Sequence, residues 1–266
     1  MIGLAPSPMQ ALRRSWTLPR AALACAAITG CAAFEDNAAQ VNMFATHHAA
    51  PVAGVIPNAG EDDQPRVFDN DEGWTITLVD AYIVTTGARL VRCDSSVFEL
   101  DLFWGPCPED LRGEDLELLS VAGLGVPPGE YCELQVDFGP YVRPELGPGA
   151  DAPVHEIPES PQVEGASVYL RGLAERNGEQ VAFEHRATDR VVVEFDLVAD
   201  DPTGEPTTIT TDEGFPKELT TSKTYDEFFL GVDFATYEPA AYDAELGELL
   251  VAITHAFEGT VEVAPD

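Results

Sequence analysis

Basic residues are scarce in this chain of 266 residues, where 14 lysines and arginines stand against 47 aspartates and glutamates. The formal net charge is −33 at pH 7. Beyond residue 30 the only lysines are Lys217 and Lys223. Because so acidic a surface repels polyanions, nucleic acid and anionic lipid head groups are excluded as expected partners.

Catalytic signatures are also missing. The sequence has no Gly-x-Ser-x-Gly elbow, no His-Glu-x-x-His motif, no phosphate-binding glycine loop and no dinucleotide fingerprint. Carboxylate pairs are frequent, but at this density of acids their proximity does not indicate an acid–base pair. The sequence therefore predicts a protein that is not an enzyme.

Apolar runs of the length that spans a bilayer, about 20 residues, are absent as well. A short apolar run at residues 21–28 follows three arginines, which predicts a signal peptide over residues 1–30, with translation starting at Met1 or Met9. The end of this segment, Ile-Thr-Gly-Cys31, resembles the bacterial lipobox, in which the cysteine is acylated and the chain is cut before it. We therefore expect a lipid anchor on Cys31 and a place in the cell envelope, with Ala32 favouring the outer membrane.

The remainder of the chain divides into two regions. Residues 31–65 are rich in alanine, asparagine, proline and acids and show no sustained periodicity, which predicts a flexible tether. Residues 66–266 are long enough for one domain. Two long interruptions, residues 140–165 and 200–226, are predicted as loops.

Short runs of alternating apolar and polar residues dominate this domain, separated by glycine, proline and aspartate. They predict a mainly β fold, an antiparallel β-sandwich of prealbumin or immunoglobulin type. An apolar stripe over residues 243–257 predicts one C-terminal amphipathic helix. The predicted strands cover residues 75–84, 97–104, 130–138, 166–173, 179–185, 190–198, 228–234 and 260–263.

Three cysteines remain once the signal peptide and Cys31 are set aside: Cys93, Cys107 and Cys132. An exported protein folds in an oxidising compartment, so we expect one disulfide bond. Cys93–Cys132 is the first choice and Cys93–Cys107 the alternative, since the pairing depends on geometry.

Histidine supplies the candidate metal ligands. His47 and His48 are adjacent and follow Met43, and imidazole and thioether groups are suitable ligands for copper. The alternative is that a mobile tail carries two histidines without a role. His185 continues the apolar face of its strand, where it is either a third ligand or a core residue with satisfied hydrogen bonds.

Three segments together resemble the MbnP-like periplasmic proteins, the family tied to methanobactin and copper. They are Trp74–Leu90, Val126–Gly139 with its Pro-Gly-Glu-Tyr sequence, and Phe229–Ala235. The chain also resembles lipoproteins of myxobacterial type. The resemblance implies a β-sandwich in the periplasm or at the outer membrane that binds copper through histidine and a modified tryptophan. His185 in Phe-Glu-His is similar to a Phe-x-His strand of the family, and Trp74 or Trp104 would supply the tryptophan.

Two hypotheses follow from the sequence. The first is a lipid-anchored, non-enzymatic binding protein of the cell envelope that handles a transition metal, copper first. The alternative is an envelope scaffold that recognises a protein partner through sandwich loops, residues 140–165 especially, without metal. In both, the lipid anchor is the only membrane attachment.

Replacing Cys31 with serine removes the thiol that would carry the lipid. We expect Cys31→Ser to move the protein from the membrane fraction to the soluble fraction, because no second attachment is predicted. Cell fractionation with immunoblotting measures this, and Cys107→Ser is the matched control that stays with the membranes. A Cys31→Ser protein that remains in the membrane fraction would contradict the lipid anchor.

Overall fold

The computed structural model describes residues 38–103, 105–144, 157–198, 204–211 and 216–258. The predicted signal peptide, Cys31, Trp104 and the strand predicted at 260–263 lie outside these ranges. Within them, no helix combines the length and the apolar character that crossing a membrane requires.

The described residues contain thirteen strands and one α-helix, joined by turns and short 3-10 helices. The helix, α1, covers Pro239–Ile253. The strands are β1 (Ala39–His48), β2 (Arg66–Asp69), β3 (Thr75–Arg92), β4 (Val97–Leu102), β5 (Cys107–Asp110), β6 (Leu119–Val126), β7 (Gly129–Phe138), β8 (Val168–Arg176), β9 (Glu179–Ala187), β10 (Val191–Asp196), β11 (Thr207–Ile209), β12 (Lys217–Thr224) and β13 (Thr254–Glu258).

The strands form one curled sheet with the order β10-β7-β3-β4-β6-β1-β12-β13. The long strand β3 also pairs with β2, β5 and β8, while β9 pairs with β8 and β11 with β7. Every described pairing is antiparallel except β1 with β12, which is parallel. The prediction of a mainly β antiparallel sandwich with one C-terminal helix is confirmed.

The core lies between the facing halves of this sheet because the apolar residues alternate along its strands. On β3, Ile76, Leu78, Ala88 and Leu90 are fully buried. Aromatic side chains fill the end near α1, where Phe183, Phe229 and Phe234 pack with ring centroids 5.2–6.0 Å apart.

The predicted flexible tether over residues 31–65 is wrong for residues 39–48. These form β1, which lies between β6 and β12 and buries Val41, Met43 and Ala45 completely. The domain therefore includes residues before 66. The alternation of apolar and polar residues is interrupted by Phe44 on the polar face and by His47 on the apolar face.

Three further predictions are wrong in part. The strand predicted at 228–234 is a 3-10 helix, Tyr225–Phe229, followed by turns, and the Asn70 amide donates to the carbonyls of Phe229 and Val232 to hold it. The loop predicted at 200–226 contains β11 and β12. The helix predicted to reach residue 257 ends at Ile253, and the chain continues as β13 because its backbone pairs with β12.

The disulfide prediction is confirmed for the first choice, Cys93–Cys132. Their Cα atoms lie 4.9 Å apart, within the range that a disulfide requires, and the bond joins the end of β3 to β7. The alternative partner, Cys107, is buried in β5 as a thiol. Burial raises the pKa of this thiol to about 12, so it is protonated at neutral pH.

Removing the disulfide should destabilise the domain because the bond restricts the unfolded chain across a sequence separation of 39 residues. We expect Cys93→Ser/Cys132→Ser to lower the free energy of unfolding by about 2–5 kcal/mol. Urea denaturation followed by tryptophan fluorescence measures it. Reductant should produce a similar loss in the wild type and none in the double variant; an equal effect of reductant on both would be evidence against this role.

Candidate functional site

A buried ionic cluster joins three strands that are distant in sequence. Glu109 of β5 is 2% exposed and accepts two hydrogen bonds, one from His47 Nδ1 at 3.1 Å and one from Lys223 Nζ at 2.6 Å. His47 and Lys223 are register partners on β1 and β12, so their side chains leave the sheet on the same face. The carboxylate thus meets two cationic groups side by side.

Glu109 is ionised despite its burial. Desolvation by itself would raise the pKa of this carboxyl, but the Lys223 ammonium and then His47 outweigh it, and the pKa lies below its ordinary value. Lys223 is fully buried. Each charge therefore depends on the other, since an unpaired buried charge is costly.

Both ring nitrogens of His47 are in contact with oxygen acceptors. Its Nδ1 faces the Glu109 carboxylate and its Nε2 faces the carbonyl oxygen of Gly113, 3.1 Å away. These contacts leave neither nitrogen open to a metal ion.

A second set of buried polar groups holds the turn after β5. Arg66 is fully buried and donates to the carbonyl oxygens of Leu111, Arg112 and Gly113. Asp115 accepts hydrogen bonds from the Ala49 amide and the Tyr225 hydroxyl. Burial raises the pKa of Tyr225, and Asp115 raises it further, so the phenol stays protonated and donates.

A cleft of about 550 Å³ opens in front of His47. Arg112 lies on its wall but is neutralised by Asp110, at 2.6 Å, and by Asp63, at 3.4 Å. The cleft is therefore negatively charged. Its acidic and apolar lining residues are Asp62, Asp63, Glu109, Asp110, Glu117 and Glu159, with Ala45, Pro108, Leu118, Leu119 and Ile157.

His185 belongs to a separate cluster and is neutral. Its Nδ1 lies 2.8 Å from Asp243 Oδ1, and its Nε2 lies 3.3 Å from the Tyr237 hydroxyl. Burial lowers the pKa of His185, and Asp243 opposes this only in part. The neutral ring donates from Nδ1 and accepts the Tyr237 hydroxyl at Nε2, while stacking on Phe183 at a centroid distance of 5.5 Å. Both nitrogens are engaged here too.

His48 differs from His47 and His185 because only one of its ring nitrogens has a described hydrogen-bond partner. It is half-buried, and its Nδ1 donates to the carbonyl oxygen of Ala49 at 2.9 Å, which leaves the lone pair on Nε2. The neighbouring carboxylate is Asp226, whose Oδ1 accepts the Ala50 amide at 2.8 Å. Burial raises the pKa of Asp226, and the charge of protonated His48 would oppose this.

The structure does not bring the predicted ligands together. His47 and His48 are on opposite faces of β1 and His185 is in another cluster. Trp74 is buried against Phe234, and its indole donates to Asp233. Within the part of the chain that the structure describes, no group of three or more His, Cys, Asp or Glu side chains could hold a metal ion.

The sequence predictions missed Glu109 and Lys223. One signal was present: Lys223 is one of two lysines beyond residue 30, and it lies among threonines and a serine that can form a strand. A lysine retained in so acidic a chain indicates a specific carboxylate partner, although its identity follows only from the strand pairing.

Comparison with known proteins found little. The chain matches no protein-family model and no curated protein. One solved structure with a similar course of the chain is MbnP from Methylosinus trichosporium, at 12% identity and a TM-score of 0.40, covering 83% of this chain and 99% of that chain. The similarity is distant, and at this TM-score it carries no argument about a ligand or an activity.

Breaking the Glu109–Lys223 pair should strongly destabilise the domain. We expect Glu109→Gln and Lys223→Met each to cost about 3–5 kcal/mol of unfolding free energy, because each leaves a buried charge without its partner. The double variant should cost less than the sum of the two. Urea denaturation gives all three values.

The matched control is Asp63→Asn, since the Asp63 side chain is 80% exposed in its ion pair with Arg112. We expect a loss below about 1 kcal/mol for this exposed pair. Additive losses for Glu109→Gln and Lys223→Met would show that the two residues do not act as a pair.

Proposed function

We propose that this protein is a lipid-anchored, non-enzymatic binding protein of the cell envelope that takes up a transition metal ion, copper first, through His48. The observation that carries the proposal is which ring nitrogens of the three candidate histidines are hydrogen-bonded. His47 and His185 use both ring nitrogens in hydrogen bonds, whereas His48 keeps the Nε2 lone pair.

The surroundings of His48 support a metal ligand. The hydrogen bond from Nδ1 to the Ala49 carbonyl fixes the tautomer, which is the arrangement that commonly orients metal-binding histidines. Asp226 is a carboxylate that interacts electrostatically with His48, and its Oδ1 is held by the Ala50 amide. The two residues offer a nitrogen and an oxygen ligand, and the other coordination positions are open to water or to a further ligand.

Copper is preferred among divalent ions because affinity for nitrogen and oxygen ligands peaks at Cu²⁺ in the first transition row. Met43, expected as a thioether ligand, does not join this site, since its side chain is fully buried on the face of β1 opposite His48. The net charge of −33 attracts cations to the surface.

The metal-free scaffold stays a hypothesis. It depends on the loop at 140–165, of which residues 145–156 lie outside the described ranges. The non-enzymatic character and the lipid anchor at the outer membrane are parts of the present proposal, and Cys31→Ser tests the anchor.

Copper uptake by the purified chain tests the metal site. We expect about one Cu²⁺ per chain after desalting, a loss of uptake in His48→Ala, and an affinity about tenfold lower in Asp226→Asn. Metal analysis and fluorescence titration measure these values. His255→Ala is the matched control because His255 is an exposed histidine of β13.

Two outcomes would overturn this assignment. Uptake that is unchanged in His48→Ala would exclude this ligand. Equal losses in His48→Ala and His255→Ala would indicate non-specific binding to surface histidines.

A further inference from the structure

Three residues from three elements form a continuous hydrogen-bonded chain beside α1. The Tyr237 hydroxyl, just before the helix, bonds His185 of β9, and His185 bonds Asp243 of α1. The direction of each bond follows from the neutral imidazole: Tyr237 donates to Nε2, and Nδ1 donates to the carboxylate. In this arrangement the Tyr237 phenol donates to a base, His185, which is itself hydrogen-bonded to the carboxylate of Asp243. Such an arrangement allows a proton to leave the phenol when an electron leaves it.

We infer that Tyr237 is a one-electron redox site whose phenolic proton is received by His185. A one-electron outer-sphere oxidant takes one electron from the Tyr237 ring, the O–H bond breaks, and the proton forms the second N–H bond of His185. The products are a neutral phenoxyl radical, an imidazolium paired with Asp243, and the reduced oxidant. Return of one electron to Tyr237 reverses both transfers.

The acceptor distinguishes Tyr237 from the other tyrosines with described partners. Imidazole is intrinsically a stronger base than a carboxylate, and Asp243 offsets in part the burial that lowers the pKa of His185. Of the described tyrosine partners, His185 is the one that is itself hydrogen-bonded to an acid able to stabilise the added proton. Tyr169 bonds Glu184, Tyr225 bonds Asp115, and Tyr82 has Arg112 and the Asp110 carboxylate as partners. The hydroxyls of Tyr131 and Tyr242 donate to backbone carbonyl oxygens, which do not take up a proton.

The surroundings oppose simple ionisation of Tyr237. Burial raises the pKa of the phenol and Asp243 raises it further, so phenolate does not form at neutral pH. The proton therefore moves only when the electron leaves. Phe234, at a centroid distance of 5.1 Å, and Tyr242, at 6.2 Å, provide apolar packing in which a neutral radical is favoured over a charged species.

Tyr237 is also accessible to an oxidant. It is half-buried and lines a depression of about 230 Å³ with Glu238, Tyr242 and the 56% exposed Leu230. Asp243 is 38% exposed, so the far end of the chain is in contact with water. None of these residues takes part in the proposed metal site at His48 and Asp226. An experiment that disproves the redox site therefore leaves the metal site untouched, and the reverse also holds.

Flash-quench oxidation of the purified full chain with a ruthenium tris-bipyridine oxidant tests the inference. We expect a tyrosyl radical by electron paramagnetic resonance, a yield about tenfold lower in Tyr237→Phe and in His185→Gln, and slower radical formation in D₂O. Tyr169→Phe is the matched control, because its hydroxyl lies 3.3 Å from Glu184, the same distance that separates Tyr237 from His185.

Asp243→Asn is the second variant, chosen because its partly exposed side chain makes misfolding a small risk. It should lower the radical yield while leaving the urea midpoint near that of the wild type. A radical yield that is unchanged in Tyr237→Phe would overturn the assignment. So would the same loss in Tyr169→Phe, or radical formation without a solvent isotope effect in the wild type.

Discussion

The buried carboxylate of Glu109 is the constraint on which the rest of the structure depends. It is one anion between two cationic groups, and it links β5, on one half of the curled sheet, to β1 and β12 on the other. Because a buried charge without its partner costs several kcal/mol, the parallel register that sets His47 beside Lys223 is favoured over any shifted register. The positions of His48 and Asp226, at the ends of these strands, follow from that register.

Histidine has different hydrogen-bond surroundings at two places in this protein. His47 faces a carboxylate and a carbonyl oxygen, whereas His185 faces a carboxylate and a phenolic hydroxyl. Partners that are distant in sequence decide this difference, so it cannot be predicted from the neighbouring sequence. In our proposals it also separates the roles: His47 stabilises the fold, His185 accepts a proton, and His48 is a metal ligand.

Much of the fold could be predicted from local patterns. β3, β4, β7, β8, β9 and β10 overlap predicted strands, because apolar residues on one face of each alternate with polar residues on the other. β3 continues to Arg92, eight residues beyond the predicted end at residue 84. β12 was not predicted because Leu219 is its one apolar residue, among threonines, a serine and lysines, most of which are buried only by tertiary contacts. β1 was not predicted because Phe44 interrupts its polar face and His47 its apolar face. Residues 228–234, predicted as a strand, are the end of a 3-10 helix and the turns after it, because an apolar run this short does not let periodicity distinguish a strand from other structure.

The candidate site was less predictable than the fold. Histidines were identified by residue type, but which ring nitrogen is available depends on contacts such as Gly113 with His47, 66 residues apart. Glu109 is one of 47 acidic residues, and nothing local separates it from the others. Only the pairing of β1 with β12, across more than 170 residues, identifies its partners.

The sequence by itself determined the class of the fold, the acidic surface, the lone disulfide expected among the last three cysteines and the lipobox-like segment ending at Cys31. These depend on composition or on patterns within a few residues. Tertiary structure decided which cysteines pair, that residues 39–48 are a central strand, and which histidine keeps a lone pair. The physical reason is that each of these outcomes depends on the distance between atoms that the chain brings together only after folding.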